Sequence, residues 1–163
     1  MEKDIKIIAK SLNNLKKLYE DIAILSERKK EAIIKNDVST LNIIVEQEKE
    51  IIAQISDIEE IRQKCSARIG NELGIGYKIT LRQIIDNITV NKEELMELLD
   101  ELNGILDRVS KINNINSNLI KVQLNYIECF KSAFLDESGA GYNMDGSENL
   151  DKTQSINLFD RMV

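Results

Sequence analysis

Hydrophobic residues recur at steps of three and four through the first half of the chain, which is the spacing of one face of an α-helix. One stripe predicts a helix over about residues 2–35, with a face made of Ile5, Ile8, Leu12, Leu15, Tyr19 and Ile22. A second stripe predicts a helix over about residues 38–72, and Asp37 or Ser39 can cap its start. Because the connection between the two helices is short, we expect an antiparallel hairpin.

The longest hydrophobic stripe lies in the second half of the chain and predicts a third helix over about residues 92–135. Before it, the glycines of GNELGIGYK predict a break in helical order, used as a hinge or linker, and a short helix is expected over about residues 80–88. The predicted fold is all-α. A longer third helix packs along the antiparallel hairpin as a coiled-coil-like bundle over residues 1–135.

A few polar residues interrupt these stripes. Asn113 and Asn116 fall on the hydrophobic face of the third helix, where an amide must find a partner and can fix the helix register. Alternatively, this polar break separates a packing half of the helix from a distal half with another use. On the second helix, Glu48 and Arg62 are expected at the edge of the packed face, where their long side chains still reach water.

Residues 136–163 lose the helical spacing and contain six acidic and two basic residues, so we predict a flexible acidic tail. The tail nevertheless ends in the hydrophobic segment SINLFDRMV. Nine residues are too short to hold a helix alone, so this segment needs a surface. We expect it to dock on the uncovered end of the third helix; the alternative is a permanently packed arm that completes the core.

Composition narrows the possible functions. The chain is 42% hydrophobic and 31% charged but only 4% aromatic, with no Trp or Pro, as expected for long amphipathic helices with an aliphatic core. The absence of His excludes phosphotransfer through imidazole, His-dependent nucleophilic triads and di-iron bundles that need Glu-x-x-His. We therefore expect no enzyme, metal or cofactor. Cys65 and Cys129 are expected to be buried, reduced packing thiols.

Neither a membrane-spanning nor a secretory hydrophobic run is visible, which predicts a cytoplasmic protein without membrane insertion. The formal net charge of −6 argues against binding to nucleic acid or to anionic lipid.

The order of these segments is similar to that of one protein family. The stretch SERKKEAIIKNDVSTLNIIVEQEKEIIAQI, with a Glu-rich helix after the Asn36–Asp37 turn, resembles FlgN-type flagellar export chaperones. NSNLIKVQLNYI is similar to their third-helix segment, with matches at Asn116, Leu119, Ile120, Tyr126 and Ile127. The tail segments GAGYNMDG and NLFDRMV also resemble the family pattern, so the likeness covers nearly the whole chain.

The resemblance implies a cytosolic type III flagellar export chaperone that catalyses no reaction. It would bind hook-associated proteins of the hook-filament junction, prevent their premature self-association and deliver them to the flagellar export apparatus. The alternative is a structural coiled-coil adaptor or homodimeric module without a secretion role, and homo-oligomers are compatible with either function.

A partner surface is predicted where the third helix extends beyond the shorter hairpin, since an apolar helix face can cover the amphipathic terminal helices of secreted subunits. On that helix the predicted contacts are Leu119, Ile120, Val122, Tyr126, Ile127, Phe130 and Phe134. The accessory contacts predicted in the tail are Ile156, Leu158, Phe159 and Met162.

Overall fold

The structure is a computed structural model that describes the backbone of residues 1–138 and the side chains of residues 1–133. The predicted all-α fold is confirmed, since residues 1–138 contain helices and turns and no strand. The helices in this part of the chain are α1 (Glu2–Ile34), α2 (Val38–Glu72), α3 (Leu81–Asn87) and α4 (Lys92–Ser138). The chain divides into two units, Met1–Asn125 and the residues from Tyr126 onward.

The hairpin of α1 and α2 depends on a short turn with a strong helix cap. Asn36 adopts a positive φ of 53°, which Asn tolerates better than most residues. The Asp37 carboxylate then accepts hydrogen bonds from the Thr40 backbone N–H at 3.0 Å and from its hydroxyl at 2.6 Å. The bond from the Thr40 backbone N–H gives a partner to one of the N–H groups that have no acceptor within the first turn of α2. It confirms Asp37 as the cap.

Polar contacts define the direction of α4 within the first unit. Lys16 pairs with Glu101 at 2.8 Å, and Gln123 donates to the backbone carbonyl of Ile33 at 2.6 Å. Residue numbers therefore rise together on α1 and α4, so the two helices run parallel and α4 advances toward the α1–α2 turn. Arg68 near the end of α2 bonds Asp4 near the start of α1, as the antiparallel hairpin requires.

The main hydrophobic core lies at the end of the first unit where α1 begins and α2 ends. It is aliphatic, and its most buried members are Ile8, Leu12, Leu15, Ile69, Ile84, Ile85 and Leu95. The short α3 contributes two of them and starts with a capping box between Thr80 and Gln83. Nearer the α1–α2 turn, a smaller cluster of Leu25, Ala32 and Ile44 comes from α1 and α2 alone.

The glycine-containing segment after α2 is a compact turn. The prediction that Gly70 breaks the helix is wrong, because Gly70 is buried inside α2. Its carbonyl accepts hydrogen bonds from the backbone N–H groups of Ile75 and Gly76 at 2.9 and 3.1 Å. Gly74 and Gly76 have φ angles of +71° and +102°, which favour glycine. These bonds return the chain onto the end of α2.

The two cysteines differ in their surroundings. Cys65 is buried as predicted, and burial raises the pKa of its thiol. Cys129 is exposed on α4, so the prediction of a buried packing thiol is wrong at this position. The physical reason is that the part of α4 around Cys129 contributes no buried side chain among residues 117–133.

Candidate partner-binding surface

The second half of α4 is hydrophobic and exposed. Among its described side chains after Asn116, residues 117–133, none is buried. Six of them are large and hydrophobic, with exposed fractions from 41% to 71%. Ile120, Val122 and Leu124 belong to the first unit. The other three, Tyr126, Ile127 and Phe130, belong to the second unit, and we call them the distal α4 surface. A hydrophobic patch of this kind typically marks a binding site.

Within the second unit, two aromatic residues of the distal α4 surface contact each other. The rings of Tyr126 and Phe130 are one helical turn apart and stack with centroids 6.3 Å apart at an interplanar angle of 25°. Side chains at positions i and i+4 share one helix face, so the pair forms a continuous aromatic area. Such an area offers a partner a large contact surface with few rotatable bonds.

A groove in the first unit is lined by residues of α1, α2 and α4. Its volume is about 650 Å³, and we call it the α2–α4 groove. The hydrophobic part of its lining is Tyr19, Ile22, Ile52, Ile55, Val109 and Ile120, and the polar part is Lys29, Glu48, Asn113, Asn116, Ser117 and Lys121. Ile52 is 57% exposed, so one wall of the groove presents hydrophobic surface to solvent.

Two asparagines of α4 bond to one serine of α1 beside this groove. The Ser26 hydroxyl donates to Oδ1 of Asn113 at 3.1 Å, and Nδ2 of Asn116 donates to the Ser26 backbone carbonyl at 2.9 Å. Asn116 is only 3% exposed, and its Oδ1 has no hydrogen-bond partner among the described residues. The polar break predicted on α4 is therefore a contact to α1 that leaves one buried acceptor unpaired.

Comparison of the sequence with known proteins identifies one family. The family model described as FlgN protein matches residues 1–149. The chain belongs to the FlgN family. It is also 29% identical over 157 residues to a Bacillus subtilis (strain 168) protein named "Uncharacterized protein YvyG", covering 95% of this chain and 96% of that protein. No solved structure gives a significant match.

FlgN proteins are flagellar export chaperones and not a family of enzymes, in agreement with the resemblance drawn from the segment order. No group of three or more His, Cys, Asp or Glu side chains suited to a metal ion occurs in the part of the chain that the structure describes. None of the described helices is long and hydrophobic enough to cross a membrane.

The structure places the predicted FlgN partner contacts in different surroundings. Leu119 is half-buried, while Ile120, Val122, Tyr126, Ile127 and Phe130 are exposed. The first three belong to the first unit and the last three to the second. The side chain of Phe134 and all of Ile156, Leu158, Phe159 and Met162 lie outside the described residues.

Sequence reasoning missed two residues near these surfaces. Leu124 is 54% exposed but was not predicted, because it lies off the main hydrophobic stripe of α4. Ser26 is fully buried and bonds to Asn113 and Asn116. Its burial could have been predicted, because it lies four residues after Ile22 on the packed face of α1. The polar side chains Glu48 and Arg62 lie half-buried in ion pairs with Lys29 and Glu59.

Proposed function

We propose that this FlgN chaperone binds hook-associated proteins in the cytoplasm before their export. It covers their amphipathic terminal helices, prevents premature self-association and delivers them to the flagellar export apparatus. The observation that supports this proposal is the distal α4 surface. Its side chains belong to a helix that, among its described side chains at residues 92–133, buries none after Asn116.

The contact energy for such a partner comes from hydrophobic burial. Transfer of hydrophobic surface from water contributes about 25 cal/mol per Å², and aromatic residues at the centre of an interface commonly dominate its affinity. Tyr126 and Phe130 are 71% and 55% exposed, so both have surface left for a partner to cover. We propose Leu119, Val122 and Ile127 as surrounding contacts, and Phe134 as their continuation along α4.

The tail is proposed as an accessory element. Its hydrophobic residues Ile156, Leu158, Phe159 and Met162 follow an acidic tether, and a tether of this length keeps them at a high effective concentration near the bundle. We propose that they dock on the distal part of α4 when cargo is absent, and are displaced by the cargo helix or clamp over it.

The test measures binding of purified hook-associated proteins from the same bacterium by isothermal titration calorimetry. Tyr126→Asp and Phe130→Asp are each expected to weaken binding at least tenfold, with unchanged helical circular dichroism. Ile61→Asp on α2 is the matched control, because Ile61 is 50% exposed and lies in neither candidate surface.

Removal of residues 155–163 tests the tail, and it is expected to change cargo affinity several-fold with little change in melting temperature.

Three results would contradict this function. If Phe130→Asp unfolds the protein as a core substitution does, the residue is interior and the proposed surface is wrong. If no hook-associated protein binds the wild-type chain, the cargo assignment fails. If light scattering instead shows a homodimer that Tyr126→Asp dissociates, without any cargo binding, the structural adaptor is the correct alternative.

A further inference from the structure

We propose that the α2–α4 groove is itself a docking site for one helix of the partner protein. The occupant is an amphipathic terminal helix of the exported cargo, about three turns long, with a hydrogen-bond donor facing Asn116 and an acidic side chain facing Lys121. This inference rests on the proposed function and adds a second contact site within the first unit, separate from the aromatic residues of the distal α4 surface.

The dimensions and hydrophobic lining of the groove suit a helix. On α4 the lining extends from Val109 to Lys121, which at about 1.5 Å per residue is about 18 Å, or a little over three turns. Ile52 on α2 and Ile120 on α4 face this space with exposed fractions of 57% and 41%. A helix carrying hydrophobic residues at i, i+3, i+4 and i+7 would cover both walls.

The two ends of the first unit differ in how many helices share the core. At the end where α1 begins, α3 joins the three long helices and buries Ile84 and Ile85 completely. Around the α2–α4 groove, the described lining comes from α1, α2 and α4 alone. A helix from a partner would supply there the fourth hydrophobic element that α3 supplies at the other end.

The buried amide of Asn116 specifies part of the occupant's chemistry. Its Nδ2 donates to the Ser26 carbonyl, which can only accept, so the amide cannot be rotated to exchange its nitrogen and oxygen. Oδ1 is consequently left as a buried acceptor without a partner in a residue that lines the groove. Oδ1 is covered by side chains of the chain itself, so a donor of the occupant, such as Ser, Thr, Asn or Gln, would pair with it once these side chains move aside on docking.

Charges at the groove add a second requirement. Lys29 of α1 and Glu48 of α2 form an ion pair with each other, so they neutralise one another. Lys121 of α4 also lines the groove and has no ion pair among the described residues. An acidic side chain on the docked helix would complement it.

The tail of this chain fits the groove less well than a cargo helix. Its hydrophobic segment, residues 156–163, would be about 12 Å long as a helix, which is shorter than the groove. A second copy of the chain is the other possible occupant. The experiment below distinguishes the tail and a second copy from cargo.

The experiment uses the full-length chain and synthetic peptides that copy the terminal helices of hook-associated proteins from the same bacterium. Ile52→Asp is expected to weaken peptide binding at least tenfold. Ile43→Asp is its matched control on α2, since Ile43 is 55% exposed but does not line the groove, and it is expected to change affinity less than twofold. Lys121→Glu should weaken binding several-fold, and Lys111→Glu, also on α4 but outside the lining, should not.

A spectroscopic readout tests the role of the buried amide. The Nδ2 signal of Asn116 in ¹H–¹⁵N spectra should shift on peptide addition, while the Ser26 bond keeps it protected from exchange. If the Asn116 signal and the Ile52 methyl signal stay unchanged when peptide binds, the groove is not the site.

The other outcomes separate this inference from the proposed function. If hook-associated peptides bind and Ile52→Asp binds as tightly as wild type, the groove inference is wrong and the proposed function stands. If none of the peptides and none of the intact hook-associated proteins binds the wild-type chain, both fail. If removal of residues 155–163 shifts the Ile52 methyl signal without peptide, or if Ile52→Asp dissociates a homodimer, the groove holds the tail or a second copy and the inference is overturned.

Discussion

At the scale of single residues, two glycines on long helices have opposite surroundings. A Cβ at Gly70 would lie 2.1 Å from the backbone oxygen of Gly76, whereas one at Gly104 would meet nothing within 4 Å. We expect Gly70→Ala to lower the free energy of unfolding by about 1–3 kcal/mol, because a backbone atom must move. Gly104→Ala should raise it by about 0.5–1 kcal/mol, because alanine favours the helix.

Urea unfolding followed by circular dichroism measures both effects, and each glycine variant is the control for the other. A stabilising Gly70→Ala would show that the turn after α2 does not pack against the helix in solution.

At the scale of the helices, the Asp4–Arg68 pair joins the start of α1 to the end of α2. The Arg68 Nε donates to Oδ1 of Asp4 at 2.9 Å, and this hydrogen bond holds the pKa of the Asp4 carboxyl below its usual value. The Asp4 carboxyl is thus a stronger acid in the folded protein than in the unfolded chain. The stability it contributes is fully present above the usual aspartate pKa, near 3.9, and is lost as the pH falls through the lower folded value.

We therefore expect Asp4→Asn to lower the free energy of unfolding at pH 7 by roughly 0.5–1 kcal/mol, a modest value because Arg68 is largely exposed. This difference from wild type should shrink as the pH falls below about 4. Asp21→Asn is the control, since Asp21 is exposed on the same helix and has no ion pair among the described residues. A wild-type advantage over Asp4→Asn that persists at pH 2 would contradict this role of the pair.

At the scale of the whole molecule, hydrophobic packing along α4 is concentrated in its first half. Leu95, Leu98, Leu102 and Val109 belong to the main core, while no side chain among residues 117–133 is buried. Regions with few buried contacts open at lower free energy. We expect the amides of residues 95–106 to exchange with deuterium at least about 100-fold more slowly than those after Gln123.

Hydrogen exchange with mass spectrometry measures this gradient in the free protein and with cargo bound. Residues 25–33 of α1 are the internal reference, because Leu25, Ala32 and Ile33 are buried near the same turn. Cargo should slow exchange in the distal half selectively. Uniform protection along α4 of the free protein would mean that this half is packed without a partner, and the distal α4 surface would then lose its basis as a binding site.

Features that depend on neighbours a few residues away follow from the amino-acid sequence. The three-and-four spacing predicts long helices because side chains at those intervals share a face. The cap at Asp37 is recognisable from the sequence because its side chain bonds a backbone amide only three residues ahead. The aliphatic character of the core follows from composition, and the order of the segments was sufficient to indicate the FlgN family.

Features that depend on which helices meet arise only when the chain is folded. The spacing on α4 is the same around Leu98 and Tyr126, yet the first is buried and the second exposed, because burial depends on the opposing surface. The exposed Cys129 follows from the same cause. The helical position of Gly70 does not follow from the sequence, because its close contact with Gly76 is made only when the turn folds back onto α2. The α2–α4 groove and the unpaired Oδ1 of Asn116 arise from the relative placement of three helices, which local periodicity does not encode.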